Sequence, residues 1–219
     1  MKINKKDFFG RMIVCIIGIL FISLGVALAK IASLGNDPCN GMWMSVSKFL
    51  GISYPVFAWG MNLLMFTVEI IWGRRYINIG TFLNWLLVSF AADYMLKAYD
   101  LLLSRPDNLL IRVPMLAAGI VVCSLGIALY QVADLGVAPY DALSLIASER
   151  IKKLPYFWAR IIEDSACVGI ILLTYKSEDH LLGVGTVLFA FCLGPIIFAF
   201  TKMLMKSKIK KANKKAAKE

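Results

Sequence analysis

The chain has 219 residues, 59% of them hydrophobic, with a mean hydropathy of +0.72 and a formal net charge of +10. Soluble domains are about 45–50% apolar, and the surplus here is gathered into runs at 12–28, 56–72 and 184–200, each near the length a helix needs to cross a bilayer. That pattern excludes an ordinary soluble protein, and nucleic-acid binding too, because the positive charge is concentrated in eight lysines between Lys202 and Lys218, beside an apolar run.

In chain order, Lys2, Lys5, Lys6 and Arg11 precede the first apolar run. A charged start and an apolar stretch also describe a signal peptide, but this run is long, lacks a convincing small-x-small cleavage site and is followed by further spans, so it reads as a retained helix. It ends at 23–38, SLGVALAKIASLGNDP. A short segment follows at 39–50, then a helix opened by Pro55, since proline suits a first turn. Arg74 and Arg75 mark the next loop, and Glu69 just before them reads as one end of a snorkelling ion pair. A further helix begins after Gly80-Thr81 and carries Asn84, Ser89 and Asp93. Lys97, Arg105 and Arg112, diluted by Asp100 and Asp107, lead into a helix that ends at 124–139, SLGIALYQVADLGVAP. The short segment 140–151 comes next. Pro155 then opens a helix holding Arg160, Glu163 and Asp164. A polar turn with Lys176, Glu178, Asp179 and His180 precedes Gly185-Thr186, the last apolar run and the lysine tail.

The chain is doubled. Residues 23–38 and 124–139 are identical at nine of sixteen positions at a constant offset of 101. Gly25, Gly35 and Pro38 match Gly126, Gly136 and Pro139 together, which two unrelated leucine-rich helices would not do. Pro55-x-Phe57 pairs with Pro155-x-Phe157, and Gly80-Thr81 with Gly185-Thr186. Each short segment is too short to span at 1.5 Å per residue, so each unit crosses three times and the second copy is inverted. The expected fold is therefore an all-α polytopic membrane protein. It has two inverted-topology repeats of three transmembrane helices, each with one half-helix or re-entrant segment. The expected divisions are a cytoplasmic N-terminus (1–10), repeat 1 (11–104), repeat 2 (105–205) and a basic cytoplasmic tail (206–219). Basic residues favour both termini inside. Eight crossings, with the short segments spanning, is the competing count, and charge separates the two poorly.

Polar residues inside apolar segments are functional candidates by default. The first set surrounds the two chain breaks: Gly35, Asn36, Asp37, Pro38 and Asn40, facing Gly136, Pro139 and Asp141. Glycine permits a break, proline starts a new helix, and two free helix N-termini meeting at mid-membrane would suit a polar or anionic group. The plainer alternative is that Asn36, Asp37 and Asp141 cap short helices. The second set is Arg160, Glu163 and Asp164, three and four residues apart and hence on one face, with Asp93 as an asymmetric addition. Two acids sharing one arginine suit ion coupling; a satisfied ion pair is the alternative. Asn62, Gln131 and Asp134 are weaker candidates. The tryptophans, Tyr54 and Tyr156 fit interfacial belts or cavity walls. Cys15, Cys39, Cys123, Cys167 and Cys192 show neither a zinc nor a disulfide spacing. No catalytic motif is present, so enzyme activity, metal and cofactor are not expected.

The duplicated Gly-x-Ala-Leu…Leu-Gly-x-x-Pro pattern, with Gly-Thr at the last helix of each unit, resembles the YczE/YitT-like family of small bacterial integral membrane proteins, and YczE more closely. The likeness spans most of residues 11–200. YitT-type proteins often carry a soluble C-terminal domain where this chain has a lysine tail. The resemblance implies a multi-pass protein of the bacterial inner membrane and supplies no site residues. The leading expectation is a secondary transporter or exporter of a small polar solute. The alternatives are a substrate-binding membrane subunit of a larger transport complex and a non-transporting accessory protein. Expected partners are the bilayer, anionic lipids at the lysine tail and an unidentified small solute; a homodimer is left open.

Overall fold

A computed structural model describes residues 5–174 and 182–216. Lys2 and the polar turn with Lys176, Glu178, Asp179 and His180 lie outside the described residues, as do the lysine side chains beyond Lys206. Among the described residues the regular structure is all helical. The order is α1 (Lys5–Ala32), α2 (Pro38–Leu50), α3 (Tyr54–Trp72), a 3-10 turn (Arg74–Tyr76), α4 (Ile79–Leu102), α5 (Leu109–Ala133), α6 (Pro139–Arg150), α7 (Tyr156–Thr174) and α8 (Val184–Ala216).

Among the described residues, five segments are long and apolar enough to cross a membrane: Asp7–Ala32, Tyr54–Trp72, Ile79–Leu102, Leu109–Ala133 and Val184–Lys206. Helix α7 matches α3 in length, at 19 residues each, but carries Arg160, Glu163 and Asp164. Large apolar side chains face outward in numbers a water-soluble surface would not tolerate; Leu101 is 86% exposed, Leu173 85% and Phe90 70%. These are the lipid-facing positions of a membrane protein.

Helices α1 and α5 form the centre, running antiparallel. Their contact is built on small residues, which let backbones approach. A Cβ on Gly18 would lie 2.8 Å from Gly126 O, and one on Gly126 would lie 2.6 Å from Gly18 O. The same exchange joins Gly25 and Gly119. Around this pair α4 packs on α1 and α8 on α5. The short helices cross over: α2 packs on α7, and α6 on α3.

The sequence breaks become chain breaks for a local reason. Ser33 (φ 50°) and Asp134 (φ 58°) end α1 and α5 in the left-handed region, and Gly35 (φ 129°) and Gly136 (φ 99°) complete each turn where a side chain would be strained. Pro38 and Pro139 then start α2 and α6. Each break is sealed by the other half of the chain. The amide of Gly185 donates to Leu34 O at 2.8 Å, and that of Gly80 to Leu135 O at 2.6 Å. A Cβ on Gly35 would meet Thr186 Oγ1, and one on Gly136 would meet Thr81 Oγ1, both at 2.6 Å. Gly80-Thr81 and Gly185-Thr186 thus lie inside the first turns of α4 and α8 rather than before them, because these turns must press on the breaks.

The arginines exchange in the same manner. Arg112 donates from Nε to Ala32 O at 2.7 Å and from Nη2 to Ser33 O at 2.5 Å, neutralising the carbonyl end of α1. Arg11 pairs with Asp134 at the end of α5, at 3.1 Å. Ser23 and Ser124 each return their hydroxyls to their own helix, on Ile19 O and Ile120 O.

Candidate functional site

Where α6 leaves the second break, Asp141 occupies its first turn, favoured by the positive helix end. Its side chain is buried, and α7 brings Arg160 against it: Arg160 Nη1 lies 2.5 Å from Asp141 Oδ1. One turn further along α7, Asp164 Oδ2 accepts from Arg160 Nε at 3.1 Å. The exposed side-chain fractions are 6% for Arg160 and 1% for Asp164, so water screens neither. Two tyrosines close the outer sides of the acids. Tyr130 Oη donates to Asp141 Oδ2 at 2.6 Å and accepts from the Ala138 amide at 2.8 Å. Tyr140 Oη donates to Asp164 Oδ1 at 2.6 Å, and the Arg160 guanidinium lies over its ring, 4.6 Å from the centroid. One buried cation thus faces two carboxylates, each held by arginine and a phenol.

Glu163 takes a different partner from the one its spacing suggests. It does not bind Arg160; its Oε2 accepts from Ser144 on α6, and its buried Oε1 has no partner among the described residues. The second acid on Arg160 is Asp141, so the two candidate sets of the sequence converge on one cluster. The remaining break residues are arranged otherwise. Asp37 caps α2, accepting from the Asn40 amide at 3.1 Å and from Asn40 Nδ2 at 2.8 Å. Tyr54 Oη donates to Asn40 Oδ1 at 3.0 Å. Asn40 is exposed, so the position that matches Asp141 in the repeat does not match it in environment. Asn36 adjoins Gly41, while Gly35 and Gly136 press on Thr186 and Thr81, not on each other. The starts of the two short helices do approach: Cys39 and Tyr140 pack into one apolar cluster with Cys167, whose Sγ is 3.5 Å from Tyr140 Oη. Asp93 stands apart from the cluster, in an exposed pair with Lys30 at 3.1 Å.

Glu69 corrects its sequence reading. It forms no pair with the arginines: it is fully buried and neither oxygen has a partner among the described residues. Gly73 and the 3-10 turn carry the arginines elsewhere. Arg74 Nε donates to Ile70 O at 3.0 Å, and Arg75 pairs with Glu149 and donates to Tyr76 Oη at 2.8 Å. Burial pushes the Tyr76 phenol above its ordinary value, against the lowering pull of Arg75.

A cavity of about 360 Å³ adjoins the second break, lined by residues including Arg75, Gln131, Asp134, Gly136 and Thr201. Asp141, Arg160 and Asp164 do not line it. Gln131 connects this space to α7 through a 3.2 Å hydrogen bond from its Nε2 to Tyr156 Oη. Tyr130, Tyr140 and Ser144 were absent from the sequence candidates, and Glu69 was read there only as half of an ion pair. The available signal was the phenol of Tyr130 in an aliphatic run, which must find a partner when buried. No group of metal-ligating side chains occurs among the described residues.

Comparison with known proteins places the sequence in a family. Residues 9–202 match the family described as a family of unknown function (DUF6198). The chain belongs to that family. It is similar to an uncharacterized protein of Haemophilus influenzae, 24% identical over 186 residues, covering 84% of this chain and 79% of the relative. It is also similar to the uncharacterized protein YyaS of Bacillus subtilis, 25% identical over 187 residues, covering 83% of this chain and 87% of the relative. No solved structure matches it.

Proposed function

We propose that the chain is a secondary transporter of a small polar solute across the bacterial inner membrane, organised as two inverted repeats. The observation that carries this reading is the buried Arg160–Asp141–Asp164 cluster at the start of a half-helix. A charged group inside a bilayer is expensive, and packed apolar side chains could hold α6 to α7 without it. Its retention between two helices that belong to different packing pairs fits a site whose charge balance changes when a solute or ion enters. The reciprocal seals at Leu34 and Leu135 suit a pair of gates related by a twofold axis in the membrane plane. In this reading α7 is the sixth crossing and both termini face the cytoplasm, with the lysine tail on anionic lipid. The YczE/YitT-like resemblance of the duplicated motif agrees with such a protein.

The test is flux of a broad panel of small polar metabolites into liposomes containing the purified protein. Substrate-dependent flux that Asp141→Asn and Glu163→Gln abolish, with both variants still monodisperse, is the expected result. Absence of flux from a folded wild type, or flux indifferent to both substitutions, would refute the reading.

A further inference from the structure

Glu69 sits near the end of α3, a helix in which only Met65 and Glu69 are buried. Its exposure is 0%, and neither carboxylate oxygen has a hydrogen-bond partner among the described residues. Helix α3 packs against α2, α6 and the 3-10 turn, and touches α4 through Trp59–Trp85 and Phe66–Phe82. Several ionisable groups on these neighbours have other partners. Asp141 is tied to Arg160 and Tyr130, Glu149 to Arg75 and Tyr76, and Arg150 lies over Trp72. Arg74 serves Ile70 O, Cys39 packs with Met65 and Cys167, and Asp93 of α4 pairs with Lys30. Lys48 lies in the last turn of α2, where α3 starts, and Glu69 is near the opposite end of α3.

An ionised carboxylate with no cation and no donor is not held in an apolar interior; such a group takes up a proton instead. We propose that Glu69 is a proton-binding site of this protein, occupied when α3 is closed on α6. Its surroundings differ from those of Asp141 and Asp164, each of which accepts hydrogen bonds from Arg160 and a tyrosine. Losing the proton in place would leave an unpaired charge buried on α3, the helix that packs on α6. Proton release therefore favours separation of the two helices, and closure favours proton uptake. The proposal rests on the burial of Glu69, and its test reads protonation with no solute present, so it succeeds or fails apart from any flux assay.

The measurement is infrared spectroscopy of the full chain in liposomes, wild type against Glu69→Gln, with Glu163→Gln as a second comparison. Loss of a protonated-carboxyl carbonyl band in Glu69→Gln, with the ionised-carboxylate bands unchanged, is expected. Loss of a carboxylate band instead would overturn the proposal. Gln is a near-isostere of the neutral acid, so the variant should melt with the wild type; a variant that fails to fold counts against a neutral Glu69. Wild-type protein treated with dicyclohexylcarbodiimide, which reacts with protonated buried carboxyls, should form the adduct on the Glu69 peptide when the reaction is run at acidic pH and not when it is run at alkaline pH. Labelling absent at every pH would likewise overturn it.

Discussion

Replacing Arg160 by methionine strands two carboxylates. In the wild type the guanidinium reaches Asp141 at 2.5 Å and Asp164 at 3.1 Å, with less than a tenth of any of the three side chains exposed. Removing one partner of a buried ion pair costs about 3–5 kcal/mol, because the remaining charge has lost both its counter-ion and its water. At about 2–4 °C per kcal/mol for a chain of this size, Arg160→Met should lower the melting temperature by roughly 6–20 °C. The informative comparison is the triple variant Arg160→Met, Asp141→Asn, Asp164→Asn. Both amides still accept from Tyr130 and Tyr140, and no charge is left behind, so most of the lost stability should return. Thermal scanning in detergent, followed by gel filtration of the heated samples, measures both. An Arg160→Met protein that melts with the wild type, or a triple variant no better than the single one, would refute the argument that charge balance holds α6 to α7.

Gly126→Val places a side chain where a Cβ already lies 2.6 Å from Gly18 O, so it should cost at least the roughly 1–3 kcal/mol typical of overpacking and broaden the gel-filtration peak. Gly60→Ala, at a site with nothing within 4 Å, should leave melting unchanged or raise it slightly. Gly136→Ala combines φ of 99° with a Cβ 2.6 Å from Thr81 Oγ1, and a loss of about 1–3 kcal/mol should appear in the same melting assay. Asp93→Asn breaks an exposed pair worth about 0–1 kcal/mol, so both stability and any solute flux should stay at wild-type values.

The breaks were legible because their chemistry is local. Leu-Gly-x-x-Pro at two places predicts two chain breaks and two proline-led short helices, and α2 and α6 follow. The partner of Arg160 was not legible. Within α7, Glu163 and Asp164 compete for it on spacing alone, and only the packing of α6 on α7 decides that Asp141 takes one side and Ser144 removes Glu163. Glu69 misled because neighbours in sequence suggested a pair that Gly73 and the 3-10 turn prevent. The arginine exchange could have been found: Arg11 and Arg112 stand at the same offset of 101 as the repeat, so their common role was written in the register.

The crossed seals set an order of assembly. Leu34 waits for Gly185, almost at the far end of the chain, and α2 waits for α7. As the chain enters the membrane, its first half therefore carries an unclosed break and a short helix that has α3 beside it but still lacks α7. Neither half should therefore fold alone, and an excised first half should need the second half, supplied as a separate chain, to acquire its native form. Two genes each encoding one half could restore the protein; either alone would yield only substrate for proteolysis.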